Sequence, residues 1–213
     1  MKWTKESGKE PPKSPAVQRV IDDARRHGQR LPPGQIVTEK WPVLHYGEVP
    51  KIRLAEWRFA ITGLVEESAT FTFDEFRALP ISTVKNDIHC VTHWSRFYND
   101  WEGVRSVDLL ARVKLSPEAR FAMVHAHGGY TTNIPIEVLR RPDTIFAFKH
   151  DGQPLSEEHG WPCRLVVPEE HYFWKSAKWV SGLEFMARDR PGFWERNGYH
   201  MNGDPFREER YGG

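Results

Sequence analysis

Hydrophobic and polar residues alternate along much of the chain after residue 54. Trp57, Phe59 and Ile61 lie two positions apart, as in a strand that buries one face. The same pattern predicts strands over residues 71–73, 84–91, 121–127, 130–134, 145–149, 164–167 and 179–185. Many short strands with few helices are typical of an α+β domain that is mostly β, with antiparallel or mixed sheets.

Helical patterns are short and few. Asp74 and Ser106 are predicted to cap short helices over residues 74–79 and 106–113, and Pro135 begins a third over residues 135–140. Near the N-terminus, Ser14 and Pro15 begin a further helix that Gly28 ends. Residues 1–34 are therefore predicted to be a flexible tail with one short helix, and residues 35–213 a single domain.

Composition limits the classes of function. A length of 213 residues suits one sizeable domain, and a formal net charge of +1 gives no electrostatic basis for binding nucleic acid. The sequence has no apolar run long enough for a transmembrane helix and no secretory signal, so we expect a cytoplasmic protein. It also lacks the Gly-rich turns of dinucleotide-binding and P-loop proteins.

Cys90 is the first candidate for chemistry. It comes at the end of an apolar run and precedes a polar, aromatic stretch up to Gly103, so we expect it where a strand opens onto a loop. Most free cysteines are small buried hydrophobes, and Cys90 is interesting only if other residues converge on it. Trp94 and Trp101 flank the expected loop and are predicted to line a pocket there.

A second group of residues indicates an anion site in the last third of the chain. Arg164 begins an apolar strand, where a guanidinium without an acceptor would be costly. Lys175, Ser176 and Lys178 surround the following turn, and a phosphate would suit this combination of donors. Either lysine alone is typical of a solvated surface, whereas the cluster as a whole favours an anion.

Both groups together resemble the molybdopterin-binding domain of the sulfite oxidase superfamily. Within it, the motifs are most similar to the small catalytic subunit of the periplasmic methionine-sulfoxide reductase type and its cytoplasmic relatives. The elements that carry the resemblance are Cys90-Val-Thr-His-Trp-Ser with Trp101-Glu-Gly103, Asp151-Gly-Gln-Pro-Leu155, His159-Gly-Trp-Pro-Cys-Arg-Leu-Val-Val-Pro168, Lys175-Ser-Ala-Lys-Trp179 and Gly198-Tyr-His-Met-Asn202.

The resemblance implies a molybdenum centre in which Cys90 is the thiolate ligand of the metal and the molybdopterin carries no nucleotide. Further cofactor contacts are implied for His45, Thr131 or Thr132, His159, Arg164, Lys175, Ser176, Ala177 and Lys178. A thiolate is a soft ligand that suits a thiophilic metal. In such a protein the cofactor supplies the redox chemistry, and the chain orients it and shapes the substrate pocket.

The implied activity is oxygen-atom or two-electron transfer with a small substrate, such as a sulfoxide or an N-oxide. Sulfite oxidases surround their anionic substrate with arginines, whereas Arg96 is the only arginine close after Cys90, so sulfite is not expected. His93 is a candidate catalytic residue that contacts the substrate. The sequence has no haem domain, so we expect a separate protein as electron donor or acceptor.

Three alternatives use some of the same residues. Cys90 and His93 in Cys-x-x-His, together with His125 and His127 on one face of a strand, would suit a zinc-dependent enzyme. A cysteine hydrolase would use Cys90 with His93 or a remote histidine as the base. The third alternative is a binding module with the same fold and no cofactor.

Overall fold

The computed structural model describes residues 31–212 and, before them, Ser14, Pro15, Gln18, Arg19 and Asp22. The tail predicted over residues 1–13 lies outside the described residues, and so does Gly28, the predicted end of the N-terminal helix. The division of the chain at residue 34 stays a prediction. Within the described part, no helix is long and apolar enough to cross a membrane.

The described residues form eleven strands in two sheets. In chain order the strands are β1 (Ile36–Val37), β2 (Arg58–Gly63), β3 (Ala69–Thr72), β4 (Ile81–His89), β5 (Trp94–Arg105), β6 (Phe121–Ala126), β7 (Thr131–Pro135), β8 (Ile145–His150), β9 (Gln153–Pro154), β10 (Arg164–Val166) and β11 (Val180–Met186). In the first sheet β5 pairs with β1, β4 and β8, and β8 pairs with β9 and β10. The second sheet has the order β3-β2-β11-β6-β7 and is antiparallel except between β2 and β11.

Between residues 31 and 212 there are four α-helices of one turn or slightly more: α1 (Phe73–Arg77), α2 (Ser106–Leu110) and α3 (Ile136–Leu139) connect strands, and α4 (Phe193–Arg196) follows the last strand. The predicted cap of α1, Asp74, is wrong, because Thr72 and Glu75 form a capping box at its start. Ser106 is not a cap either, since its hydroxyl donates to the carbonyl groups of Leu139 and Thr144.

The main hydrophobic core lies between the two sheets. Phe59 of β2 meets Phe146 of β8 edge to face, with ring centroids 5.1 Å apart, and both are fully buried. Phe76 of α1 packs against both rings. The predicted α+β class with mostly antiparallel and mixed sheets is therefore confirmed.

The longest strand is the main difference from the sequence-based prediction. The polar, aromatic stretch after Cys90 is expected to be a loop, but β5 begins at Trp94 and buries every second residue from Ser95 to Gly103. Polar residues occupy two of these inward positions and hide the alternating pattern. Ser95 is bonded to the ring of His89 at 2.8 Å, and Asn99 donates to the carbonyl of Asn86 at 3.1 Å.

Gly103 lies where the pairing of β5 with β8 shifts register. A Cβ atom there would collide with the carbonyl oxygen of Phe146 and lie 2.7 Å from the Cα atom of Ala147. We predict that Gly103→Ala lowers the free energy of unfolding by about 1–3 kcal/mol, because β8 would have to move. Urea denaturation measures this change.

Gly212→Ala is the matched control. The nearest atom to a Cβ at Gly212 is the carbonyl oxygen of Tyr199, at an ordinary 3.5 Å. This substitution should change the free energy of unfolding by less than about 0.5 kcal/mol. Equal effects of the two substitutions would contradict the close approach of β5 and β8.

Candidate functional site

A cavity of about 310 Å³ opens beside the end of β4. Its wall combines segments that are far apart in the chain: residues 41–46, the turn after β4, the start of β10 and residues 173–179. Rings from residues 130, 194 and 199 complete it. Among the described residues that line the cavity there is no carboxylate.

Cys90 follows β4 directly, as the sequence predicts, and lines the cavity. A tight turn reverses the chain here, with the Cys90 N–H donating to the Trp94 carbonyl at 2.8 Å and the His93 N–H to the Cys90 carbonyl at 3.1 Å. The thiol Sγ lies 3.2 Å from Oγ1 of Thr92. Burial raises the pKa of the Cys90 thiol, so a nearby cation is needed to favour the thiolate.

Two residues from distant parts of the chain hold this turn in place. Gln35 Nε2 donates to the carbonyl of Cys90 at 3.0 Å, and the Arg210 guanidinium donates to the carbonyl of Val91 at 2.7 Å. Arg210 is buried and also lies over the ring of Tyr172, 4.9 Å from its centroid. The position of the thiol therefore depends on contacts outside its own hairpin.

Arg164 begins β10 and is 1% exposed. Among the described residues its acceptors are two neutral backbone carbonyls, those of His159 and Ser176, each at 2.9 Å, and Nε has no acceptor. Its guanidinium also lies 4.4 Å from the centroid of the Phe173 ring. Burial lowers the pKa of Arg164 to about 9, because the loss of solvent destabilises the charged form of the guanidinium. A bound anion would stabilise that charged form.

A second cation lies close to the first. Lys178 donates to the carbonyl of Glu158 at 2.6 Å, and burial together with the charge of Arg164 lowers the pKa of Lys178 to about 7. Burial and the same two cations lower the pKa of His159 to about 4, so this ring is neutral at pH 7. His159 stacks on Trp41, a residue of the cavity wall, with centroids 3.7 Å apart. The site therefore concentrates positive charge at one end.

The segment after the turn at residues 173–175 is tied to β10. The hydroxyl of Ser176 accepts from the Val167 N–H at 3.0 Å, and the carbonyl of Ala177 accepts from the Leu165 N–H at 2.8 Å. His45 also lines the cavity, with its ring edge-on to Trp179 at 5.7 Å. The structure thus brings the following predicted residues to one cavity: His45, Cys90, Arg164, Ser176, Ala177 and Lys178.

Lys175 has a different environment from the one that the anion-site prediction requires. Its side chain is 3% exposed, and its ammonium group donates to Glu195 Oε1 at 2.6 Å, Asn133 Oδ1 at 2.6 Å and the Met201 carbonyl at 2.7 Å. Protein oxygen atoms therefore occupy its donors, and it does not line the cavity.

Four other predicted residues also lie outside the cavity wall, and one of them, His159, stacks on the wall residue Trp41. Thr132 is buried and donates to Glu195 Oε1 at 3.0 Å, while the hydroxyl of Thr131 is buried without a partner among the described residues. His93 is exposed, and its ring nitrogen Nδ1 lies 2.9 Å from the carbonyl oxygen of Gly34. The structure does not bring these side chains together with Cys90.

The zinc alternative does not fit this arrangement. His125 belongs to the second sheet and its ring is bonded to Glu184 at 3.2 Å, whereas Cys90 follows a strand of the first sheet. No group of three or more His, Cys, Asp and Glu side chains in the described part of the chain could hold a metal ion. The sequence-based zinc site of Cys90, His93, His125 and His127 is therefore wrong.

Aromatic side chains form much of the cavity wall, and sequence reasoning identified only some of them. Trp94 lines the cavity as predicted, but Trp101 is fully buried and donates to Asn86 Oδ1 at 3.1 Å instead. The residues that were missed are Trp41, Tyr130, Phe173, Trp194 and Tyr199. The only signal for them was the aromatic excess of the chain, because their convergence depends on the tertiary fold.

A family model for the oxidoreductase molybdopterin binding domain matches residues 46–194 of this chain. The chain therefore belongs to this family of molybdopterin-binding oxidoreductases. It is 45% identical over 183 residues to the uncharacterized oxidoreductase YuiH of Bacillus subtilis. The aligned residues make up 85% of this chain and 92% of that protein.

Two further proteins are similar over most of the chain. The putative protein-methionine-sulfoxide reductase subunit YedZ1 of Azospira oryzae is 31% identical over 176 residues, which are 80% of this chain and 66% of that protein. The sulfane dehydrogenase SoxCD of Paracoccus pantotrophus has a similar fold, with a TM-score of 0.64 at 24% identity over 72% of this chain and 43% of that chain. This chain thus spans only part of both proteins.

The side chains around the cavity fit the cofactor of this family. Molybdopterin combines a thiophilic metal with a phosphate group. The cavity offers a thiol at Cys90 and a buried guanidinium at Arg164 whose Nε lacks an acceptor among the described residues. A metal ion would stabilise the thiolate, and a phosphate would stabilise the adjacent charges of Arg164 and Lys178.

The lowered pKa of Lys178 leads to a prediction about the metal-free protein. Between about pH 7 and pH 10 the folded chain has lost this proton and the unfolded chain has kept it. Stability should therefore rise with pH in this window, by at most about 1.4 kcal/mol per pH unit from this group. Lys178→Met should remove this contribution, which urea denaturation between pH 6 and pH 9 measures.

Lys149 provides the control, because it forms a partly exposed ion pair with Glu102 away from the cavity. The variant Lys149→Met should keep the pH dependence of the wild type. If Lys178→Met also kept it, Lys178 would not be the group that titrates.

Proposed function

We propose that this chain is a molybdopterin-dependent oxidoreductase that exchanges an oxygen atom or two electrons with a small uncharged substrate of the sulfoxide or N-oxide class. One observation carries the proposal: a single cavity contains a cysteine thiol and a buried guanidinium without an anionic acceptor among the described residues. These two groups suit the metal and the phosphate of the same cofactor.

In this proposal Cys90 binds the metal through Sγ. Arg164 and Lys178 bind the phosphate, and the segment at Ser176 and Ala177 lies beside it. When bound, the cofactor supplies two-electron redox chemistry with transfer of an oxygen atom. Two cationic side chains suit a single phosphate group, which supports a molybdopterin without a nucleotide.

The remaining predicted contacts divide into two groups. We assign His45 a contact with the pterin, because it lines the cavity. His159 is assigned the role of holding Trp41 in the cavity wall, because the two rings are stacked. No role in binding is proposed for the predicted residues whose side chains lie elsewhere: His93, Thr131, Thr132 and Lys175.

The surroundings of the thiol favour an uncharged substrate. Val91, Thr92 and Trp174 line the cavity next to Cys90 and carry no charge. The cations among the described lining residues are those assigned to the phosphate, and Arg96 is paired with Asp151 at 2.5 Å. Arg210 lies beside the Cys90 turn, but it donates to the Val91 carbonyl and does not line the cavity. An anion such as sulfite would therefore find no cationic side chain next to Cys90 in the described part of the wall, whereas a sulfoxide needs none.

We also infer that a separate protein exchanges electrons with this chain. The Azospira oryzae relative is named as a subunit, which supports a partner for this chain. The cytoplasmic location expected from the sequence stays a prediction.

Cys90→Ser tests the proposed metal ligand. We expect turnover of methyl phenyl sulfoxide in a dye-linked assay to fall at least about 100-fold, because a hydroxyl is a poor ligand for a thiophilic metal. The assay includes trimethylamine N-oxide and sulfite, and circular dichroism should show an unchanged fold.

Cys163→Ala is the matched control for Cys90→Ser. Cys163 is the other free cysteine, and it is fully buried in the core between the sheets rather than in the cavity wall. This variant should keep turnover within about threefold of the wild type. A fully active Cys90→Ser variant would refute the proposed metal ligand.

The phosphate assignment is tested by cofactor content. Arg164→Ala and Lys178→Ala should each lower the molybdenum content and the pterin fluorescence released by acid at least about threefold, since each removes a charge-assisted contact. Lys149→Ala is the control, because Lys149 is partly exposed and does not line the cavity. It should leave both measurements unchanged. Normal cofactor content in both cavity variants would remove the phosphate assignment.

A further inference from the structure

A buried ion pair lies directly behind the cavity wall. Lys175 Nζ is 2.6 Å from Glu195 Oε1, and the two side chains are 3% and 0% exposed. The sequence predicts that Lys175 contacts a phosphate, whereas in the structure its partner is Glu195. The function of this ion pair is therefore still open.

The pair joins two turns that each contribute an indole to the wall. Lys175 ends the 3₁₀ turn that contains Trp174, and Glu195 belongs to α4 next to Trp194. Glu195 Oε1 also accepts directly from Trp174 Nε1 at 2.9 Å and from the hydroxyl of Thr132 at 3.0 Å. One carboxylate oxygen therefore fixes the orientation of an indole in the wall.

The rings of this part of the wall surround the thiol. Trp174 packs in one cluster with Cys90, and Trp194 and Tyr199 pack against that cluster. Tyr199 is stacked on Trp194 with centroids 5.0 Å apart and is edge-on to Trp174 at 4.9 Å. Whatever reacts at Cys90 must share this space with three aromatic rings.

The ion pair is not optimised for stability. Glu195 Oε2 is buried without a partner in the described part of the chain, which costs free energy. Well-packed apolar residues often replace buried ion pairs with no loss of stability. A role in orienting Trp174 gives the pair a function that such residues would not provide.

We propose that Glu195 is a positioning residue that, paired with Lys175, holds the indole of Trp174 against Cys90. In this way it forms the apolar wall that contacts the organic groups of an uncharged substrate. The proposal deepens the function proposed above and rests on it for the identity of the substrate. It assigns Glu195 an indirect role, because its carboxylate acts through Trp174.

Two double variants separate positioning from simple stability. Lys175→Met/Glu195→Leu removes the ion pair and the acceptor for the indole, and it leaves no unpaired charge. Lys175→Met/Glu195→Gln also removes the ion pair but keeps a carbonyl acceptor for Trp174 Nε1. A purely structural ion pair would make the two variants equivalent.

The first readout is the indole N–H resonance of Trp174 in ¹⁵N-labelled protein, assigned by its loss in Trp174→Phe. We expect this proton to exchange at least about tenfold faster in the leucine variant than in the wild type, because its acceptor is gone. In the glutamine variant it should stay protected. Equal exchange in the two double variants would overturn the positioning role.

The second readout is turnover of methyl phenyl sulfoxide by the cofactor-loaded enzyme. The leucine variant should raise KM about tenfold and change kcat less than about twofold, whereas the glutamine variant should keep KM within about twofold. Trp174→Phe should raise KM by a similar factor. This variant therefore tests the contact of Trp174 with the substrate even if the leucine variant does not fold. An unchanged KM in Trp174→Phe would overturn the proposal.

Failure of the proposed function remains distinguishable from failure of this inference. If the wild type turns over no sulfoxide or N-oxide, the proposed function fails. The exchange of the Trp174 indole proton needs no substrate and then still tests the positioning role of Glu195. Equal protection in the leucine and glutamine variants would overturn that role, whatever the substrate of the enzyme is.

Discussion

The buried guanidinium of Arg164 is the constraint around which the cavity is organised. Its acceptors among the described residues are neutral carbonyls, and Lys178 adds a second positive charge beside it. Such a concentration of like charge is unfavourable in an empty site and becomes favourable when an anion enters. These buried charges cost stability in the unliganded chain, and an anion bound beside them would recover it.

Local sequence patterns predicted the β-rich class and the position of Cys90 at a strand end, since both depend on neighbours in the chain. The β5 strand was missed because Ser95 and Asn99 occupy inward positions, where their partners come from β4. Thr72 was missed as a helix cap because Asp74, a strong capping type, lies two residues later. In each case a hydrogen bond decided what residue type alone left open.

The candidate site shows the same division between local and tertiary information. Motif resemblance led to Cys90, Arg164 and Lys178, and the structure brings these to one cavity. It could not distinguish Lys175 from Lys178, because two lysines three positions apart differ only in the direction in which the turn points them. Most of the aromatic wall was beyond the sequence, since its rings come from five separate segments that meet only in the folded domain.

The turn that presents Cys90 has a consequence for how the protein is made. Gln35 and Arg210, which come from opposite ends of the described chain, both hold the carbonyl groups of this turn. The site is therefore incomplete until Arg210 has left the ribosome and folded back onto the domain. Insertion of a prosthetic group into the completed site must then follow the synthesis of Arg210, and a nascent polypeptide that stalls before residue 210 would present the thiol without its full support.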